Sequence, residues 1–133
     1  MRFRDLLLAE FNRRRAANRR YSLRAFARAL SLHHATLSRI LRRQTAMAGR
    51  SIAAVGPRIG LTAEEIREFA ERENELAVLD ALSLGTFRPD SRWLASVLGL
   101  RLDDVNIALQ SLLRTGRLRM LTSVRWHRTE ELQ

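Results

Sequence analysis

From His33 to Arg43 the sequence sets out side chains that suit an anionic, hydrogen-bonding surface and no covalent chemistry. His33, His34, Thr36 and Ser38 bring neutral donors and acceptors, Ala35 a methyl group, and Arg39, Arg42 and Arg43 guanidinium groups. A guanidinium is permanently charged, and its planar fork of N–H groups matches paired acceptors on a phosphate or a guanine edge. Leu37, Ile40 and Leu41 recur at helical spacing and point inward, which leaves His34, Ser38, Arg39, Arg42 and Arg43 outward. No nucleophile–base set, P-loop or pair of carboxylates in an apolar setting accompanies them, so the expectation is a binding protein and no enzyme. With no cysteines and three histidines, no zinc cluster and no other cofactor site is expected. His33 and His34 are adjacent and diverge on a helix, so they read as a cap and a surface or base contact.

Charge sharpens this expectation. All 24 basic residues are arginine, against 14 acids, for a net charge of +10. Residues 1–60 hold 14 arginines against two acids, residues 61–85 two against seven, and residues 86–133 eight against five. So dense a basic segment suits a polyanion. RNA is the weaker candidate, because aromatic residues make up 6% and no stacking motif occurs. No run of 18 apolar residues could span a membrane, and Leu6–Ala9 is too short for a signal-peptide core. A cytoplasmic, nucleoid-associated protein is expected.

The elements that would hold these side chains are mostly helical. Phe3, Leu7 and Phe11 give one apolar stripe on a helix from about Arg4 to Ala17, with Arg13, Arg14, Arg15, Arg19 and Arg20 at its far end. Ser22 is the expected N-cap of a second helix with Leu23, Phe26, Ala27 and Leu30 inward. After Ser31-Leu32-His33 a third helix follows. A fourth, from about Ala48, should kink or end at Gly56-Pro57. Thr62-Ala63-Glu64-Glu65 is a capping box that starts a fifth helical stretch toward Leu84, with a break expected near Glu73-Asn74. Helices from Pro89-Asp90-Ser91 and from Leu102 come next. A β-hairpin is expected from Leu118–Leu121 and Val124–His127, joined by Thr122-Ser123.

Counted from Leu23, the offsets fit a helix-turn-helix. Ala27 is the small residue at position five, where the two helices touch. Phe26, Leu30 and Leu32 are apolar at four, eight and ten, and Leu37 and Ile40 at fifteen and eighteen. Ser31 stands at position nine, where glycine is usual. Tyr21-Ser22-Leu23-Arg24-Ala25-Phe26-Ala27, Leu37-Ser38-Arg39-Ile40-Leu41, Ser51-Ile52 and Gly60-Leu61 resemble the phage-repressor class (Cro/C1, XRE-type) over residues 1–61. Trp93-Leu94-Ala95 and Ala108-Leu109-Gln110-Ser111-Leu112 are similar to the second domain of bacterial regulators that fuse this module to a C-terminal winged-helix-like domain. Departures are Ser31, Arg43 in place of an expected glycine, Pro57, and an end where members of that family usually continue.

The expectation is then a mainly α protein, with a five-helix lambda-repressor-like domain over 1–72 and a winged-helix-like unit with a C-terminal hairpin over 73–133. The DNA-binding set is Ser22, Arg24, His33, His34, Ala35, Thr36, Ser38, Arg39, Arg42 and Arg43, with Arg19, Arg20, Arg119 and Arg125 as accessory contacts. Arg39 would read guanine, Ala35 would meet a thymine methyl, and Ser22 and Arg24 would hold phosphates. Asp103 and Asp104 open the helix that a winged unit would lay on DNA, and two carboxylates there repel phosphates. That unit is expected to dimerise or scaffold, with accessory DNA contact through Arg117, Arg119, Arg125 and Arg128 of the hairpin as the alternative. The overall reading is a homodimeric transcription regulator of double-stranded DNA, held through the acidic helix and the C-terminal unit. The competing reading is an adaptor or antitoxin-like module that binds a protein partner through residues 73–133.

Overall fold

Phe3, Leu7 and Phe11 do form a buried stripe, on the first helix α1 (Phe3–Ala17). In the computed structural model, which describes residues 2–42 and 47–129, there follow α2 (Leu23–Ala29), α3 (His34–Arg42) and α4 (Gly49–Val55). A 3-10 turn (Gly56–Ile59) leads to α5 (Ala63–Ala81), α6 (Ser91–Leu98) and α7 (Leu102–Arg114), then to strands β1 (Leu118–Met120) and β2 (Trp126–Arg128). The described chain is mainly α, with one two-stranded antiparallel sheet. It divides into two compact units, Met1–Ala70 and Glu71–Gln133, and the division lies inside α5. Among the described residues no helix is long and apolar enough to cross a membrane.

The first unit closes around Phe3, Leu7, Phe11, Phe26, Leu30, Leu37, Ile52 and Val55. Each such side chain contributes about 1.5–3 kcal/mol on burial. Phe11 stacks on Phe26 at 5.5 Å, and Tyr21 meets Phe26 edge-on at 6.3 Å. At Pro57 the missing N–H and the ring end the α-helix, and the backbone tightens into the 3-10 turn. Gly60 then closes that turn at φ +83°, with the Leu61 N–H donating to the Gly56 carbonyl at 3.1 Å. Gly56 sits against α5. A Cβ placed on it would lie 2.6 Å from Ile66 Cγ1, so this packing admits no side chain there.

The start of α5 is a reciprocal box. The Glu65 N–H donates to Thr62 Oγ1 at 3.2 Å, and the Thr62 N–H donates to Glu65 Oε1 at 3.0 Å. The expected break at Glu73-Asn74 is absent, because α5 runs unbroken from Ala63 to Ala81. No proline or glycine lies between Thr62 and Gly85, and a single asparagine costs a helix only a fraction of about 1 kcal/mol. The helix also stops short of Leu84. Leu82, Ser83 and Leu84 donate to Leu79, Asp80 and Ala81, three residues back, so its end is a tightened turn.

The second unit packs Val78, Leu79, Leu94, Val105, Leu109, Leu112 and Leu118 together. Phe87 lies 5.7 Å from both Trp93 and Trp126 and ties the hairpin to α6. Asp90 Oδ1 caps α6 by accepting the Arg92 N–H at 3.0 Å, and Gly99 ends it at φ +66°. The hairpin has shorter strands and a wider loop than expected, with Leu118 opposite Arg128 and Met120 opposite Trp126. Thr122-Ser123 lacks the glycine or asparagine of a two-residue hairpin turn. Leu121 and Thr122 instead both donate to the Arg125 carbonyl, at 2.9 and 3.2 Å.

Candidate nucleic-acid interface

Ser22 sets the start of α2. Its Oγ accepts the Ala25 N–H at 3.1 Å, and its carbonyl accepts from Phe26. The hydroxyl proton remains available to an outside acceptor. Seven residues later α2 ends in a Schellman turn. The Leu32 N–H donates to the Ala27 carbonyl at 2.8 Å and the Ser31 N–H to the Arg28 carbonyl at 3.1 Å. Ser31 takes φ +55°, the left-handed conformation that glycine usually supplies at this place. The turn geometry is thus present with serine, at a cost of about 1–2 kcal/mol.

His33 caps α3. Its carbonyl accepts the Leu37 N–H at 3.1 Å and its ring Nδ1 accepts the Ala35 N–H at 3.2 Å. A ring that accepts through Nδ1 carries its proton on Nε2, which is left to donate outward. Leu37 is fully buried, whereas Ala35, Arg39 and Arg42 are exposed. At about 100° per residue, Ser38, Arg42, Ala35 and Arg39 fall within an arc of about 100°. The half-buried His34 and Thr36 lie at its two edges. The fold therefore brings Ala35, Ser38, Arg39 and Arg42 onto one face and leaves His34 and Thr36 marginal. Arg42 Nε donates to the Ser38 carbonyl at 3.4 Å, which draws its guanidinium back along the helix. The Arg39 side chain makes no hydrogen bond or ion pair among the described residues. Arg43 lies outside the described residues.

Arg19, Arg20 and Arg24 are exposed, and the Arg20 N–H donates to Asn18 Oδ1 at 3.1 Å. Two arginines of the neighbouring cluster have structural work. Arg13 and Arg14 both bond to Glu10, with Nε to carboxylate distances of 3.0 Å. These bonds, the Arg13 one foremost, hold the Glu10 carboxyl below its ordinary pKa. Arg14 also donates to the Tyr21 hydroxyl at 3.2 Å and lies 5.2 Å from the Phe26 ring centre. Of the five arginines at the end of α1, this leaves Arg15, Arg19 and Arg20 turned to solvent. Sequence reasoning missed Arg4, whose Nε donates to the Leu41 carbonyl at 2.9 Å and fixes the end of α3 to α1. A bond between residues 37 positions apart leaves no local signal in the sequence.

Arg119 and Arg125 belong to the second unit. Arg119 is exposed on β1 opposite His127, and Arg125 is exposed in the hairpin loop. The two units differ sharply in charge. Residues 1–70 hold 15 arginines against five acids, while residues 71–133 hold nine against nine. The whole net charge of +10 therefore belongs to the unit that carries α2 and α3. Among the described residues no group of histidines and carboxylates could hold a metal ion. Comparison of the chain with known protein families, curated proteins and solved structures finds no match.

Proposed function

We propose that this chain is a sequence-specific transcription regulator that binds double-stranded DNA as a homodimer on a palindromic site. In this reading the first unit is a lambda-repressor-like helix-turn-helix domain and the second a winged-helix-like unit. The observation that carries it is the coincidence of the entire net charge with a short capped helix whose outer face presents Ala35, Ser38, Arg39 and Arg42. In the major groove Arg39 pairs with guanine O6 and N7, and Ala35 meets a thymine methyl. Ser22, Arg24, Arg19, Arg20 and the Nε2–H of His33 bind phosphates, and these contacts set register without reading sequence.

The test is duplex binding by the wild type and by Arg39→Ala, on a site selected from a random pool and on unrelated DNA, at several salt concentrations. Arg39→Ala should weaken the selected site by about 1–3 kcal/mol and leave unrelated DNA nearly unchanged. Equal loss on both reduces Arg39 to a phosphate contact. No duplex binding at low salt overturns the reading and leaves the protein-adaptor alternative, which the neutral second unit favours.

A further inference from the structure

We propose that α7 is the seam through which two copies of this protein associate, packed antiparallel across a two-fold axis. The inference rests on the homodimer in the reading above and names its surface. Nine large apolar side chains are exposed among the described residues, and all but Leu8 lie in the second unit. That unit carries equal numbers of arginines and acids, so two copies meet through it without net repulsion. Two first units, each with a balance of +10, repel one another. Charge thus assigns self-association to the second unit and selects a second copy over an acidic or basic partner.

Within that unit α7 has the pattern of a self-complementary seam. Val105, Ala108, Leu109 and Leu112 face its own core. Asp103, Ile107, Gln110 and Arg114 are exposed at spacings of four, three and four, which puts them within an arc of about 60°. Ile107, 53% exposed, is the apolar side chain within this arc. When α7 meets a copy of itself antiparallel, centred between Ile107 and Gln110, Asp103 of each copy falls opposite Arg114 of the other. The two isoleucines then meet the two glutamines at the centre. An isologous contact needs this reciprocity, in which one residue faces a second and the second faces the first. Asp103 and Arg114 form no ion pair within the chain among the described residues, although Asp104 is held by Arg101 at 3.4 Å. Asn106 and the exposed Leu113 flank the seam. A helix of 13 residues is about 20 Å long, so the seam is small and a micromolar dimer is expected.

Sedimentation equilibrium on the full chain, from about 1 to 100 micromolar, tests this. The wild type should dimerise in that range. Asp103→Arg or Arg114→Asp alone should raise the dissociation constant about tenfold or more, because each sets like charges opposite one another. The double reversal Asp103→Arg with Arg114→Asp should return it to within about threefold of wild type, a recovery that damage to the fold does not produce. Ile107→Glu should abolish the dimer. A wild type monomeric throughout, or single reversals without effect, or a double reversal that fails to recover overturns the proposal. Binding of a random-sequence duplex, read separately by fluorescence anisotropy, keeps the two readings apart. A dimer that binds no DNA sinks the DNA reading and leaves the seam, and a monomer that binds DNA overturns the seam and the homodimer and leaves duplex binding.

Discussion

Ser31 has a backbone conformation that its own side chain opposes. At φ +55° its Cβ crowds the following carbonyl, and the Schellman bonds of Leu32 and Ser31 hold it there. Ser31→Gly should therefore stabilise the protein by about 0.5–1 kcal/mol, the relief of strain exceeding the added freedom of the unfolded chain. Ser31→Val should destabilise by about 1–2 kcal/mol, because a β-branched residue tolerates this region least. Urea denaturation of the two variants beside the wild type checks both signs. If Ser31→Gly shifts the midpoint down, the turn is not strained as described. The arginines show how residue type and role part company. Arg14 and Arg39 are the same residue in the same basic segment, yet Arg14 is held by Glu10, Tyr21 and Phe26 while Arg39 is left to solvent.

The elements of the first unit depend on how closely the 3-10 turn lies against α5. Gly56 has an ordinary helical φ of −51°, so space and not conformation excludes a side chain. Gly56→Ala should cost about 1–3 kcal/mol through overpacking against Ile66, and a second change, Ile66→Ala, should return part of the loss. Thermal melts of the single and double variants measure this coupling. Additive losses would mean that the two side chains do not compete for one volume. The starts of helices were legible in the sequence because caps are local. Ser22, Thr62 with Glu65, and Asp90 each act within three residues of themselves. The stripe of Phe3, Leu7 and Phe11 was legible for the same reason. The continuity of α5 past Asn74 was not, since a weak helix former is overridden by burial on its neighbours Val78 and Leu79. The hairpin register was also illegible, because Thr122-Ser123 specifies no turn type and the loop geometry sets the pairing. At the candidate interface, the outward positions of α3 followed from Leu37 and Ile40. The Nδ1 bond of His33 and the clasp of Arg4 on Leu41 depend on three-dimensional placement.

At the scale of the molecule, the net charge lies on residues 1–70, and among the described residues every exposed large apolar side chain but Leu8 lies on residues 71–133. On the proposed function, the salt dependence of duplex binding should follow that division. With six or more phosphates neutralised, affinity should fall by about a thousandfold or more between 50 and 200 mM salt. Arg24→Ala should reduce the slope by about one, whereas Arg119→Ala with Arg125→Ala should leave it unchanged. Titrations at several salt concentrations decide the matter, and a slope altered by the second-unit changes would put the hairpin on the phosphate backbone. The aromatic side chains are divided in the same way. Both tryptophans, Trp93 and Trp126, sit on Phe87 in the second core, and the single tyrosine, Tyr21, sits on Phe11 and Phe26 in the first. The chain therefore carries a separate intrinsic fluorophore in each core. Tryptophan emission follows the melting of the second core and far-ultraviolet circular dichroism that of the helices of both, so two coincident curves would mean cooperative unfolding and two displaced ones independent folding units.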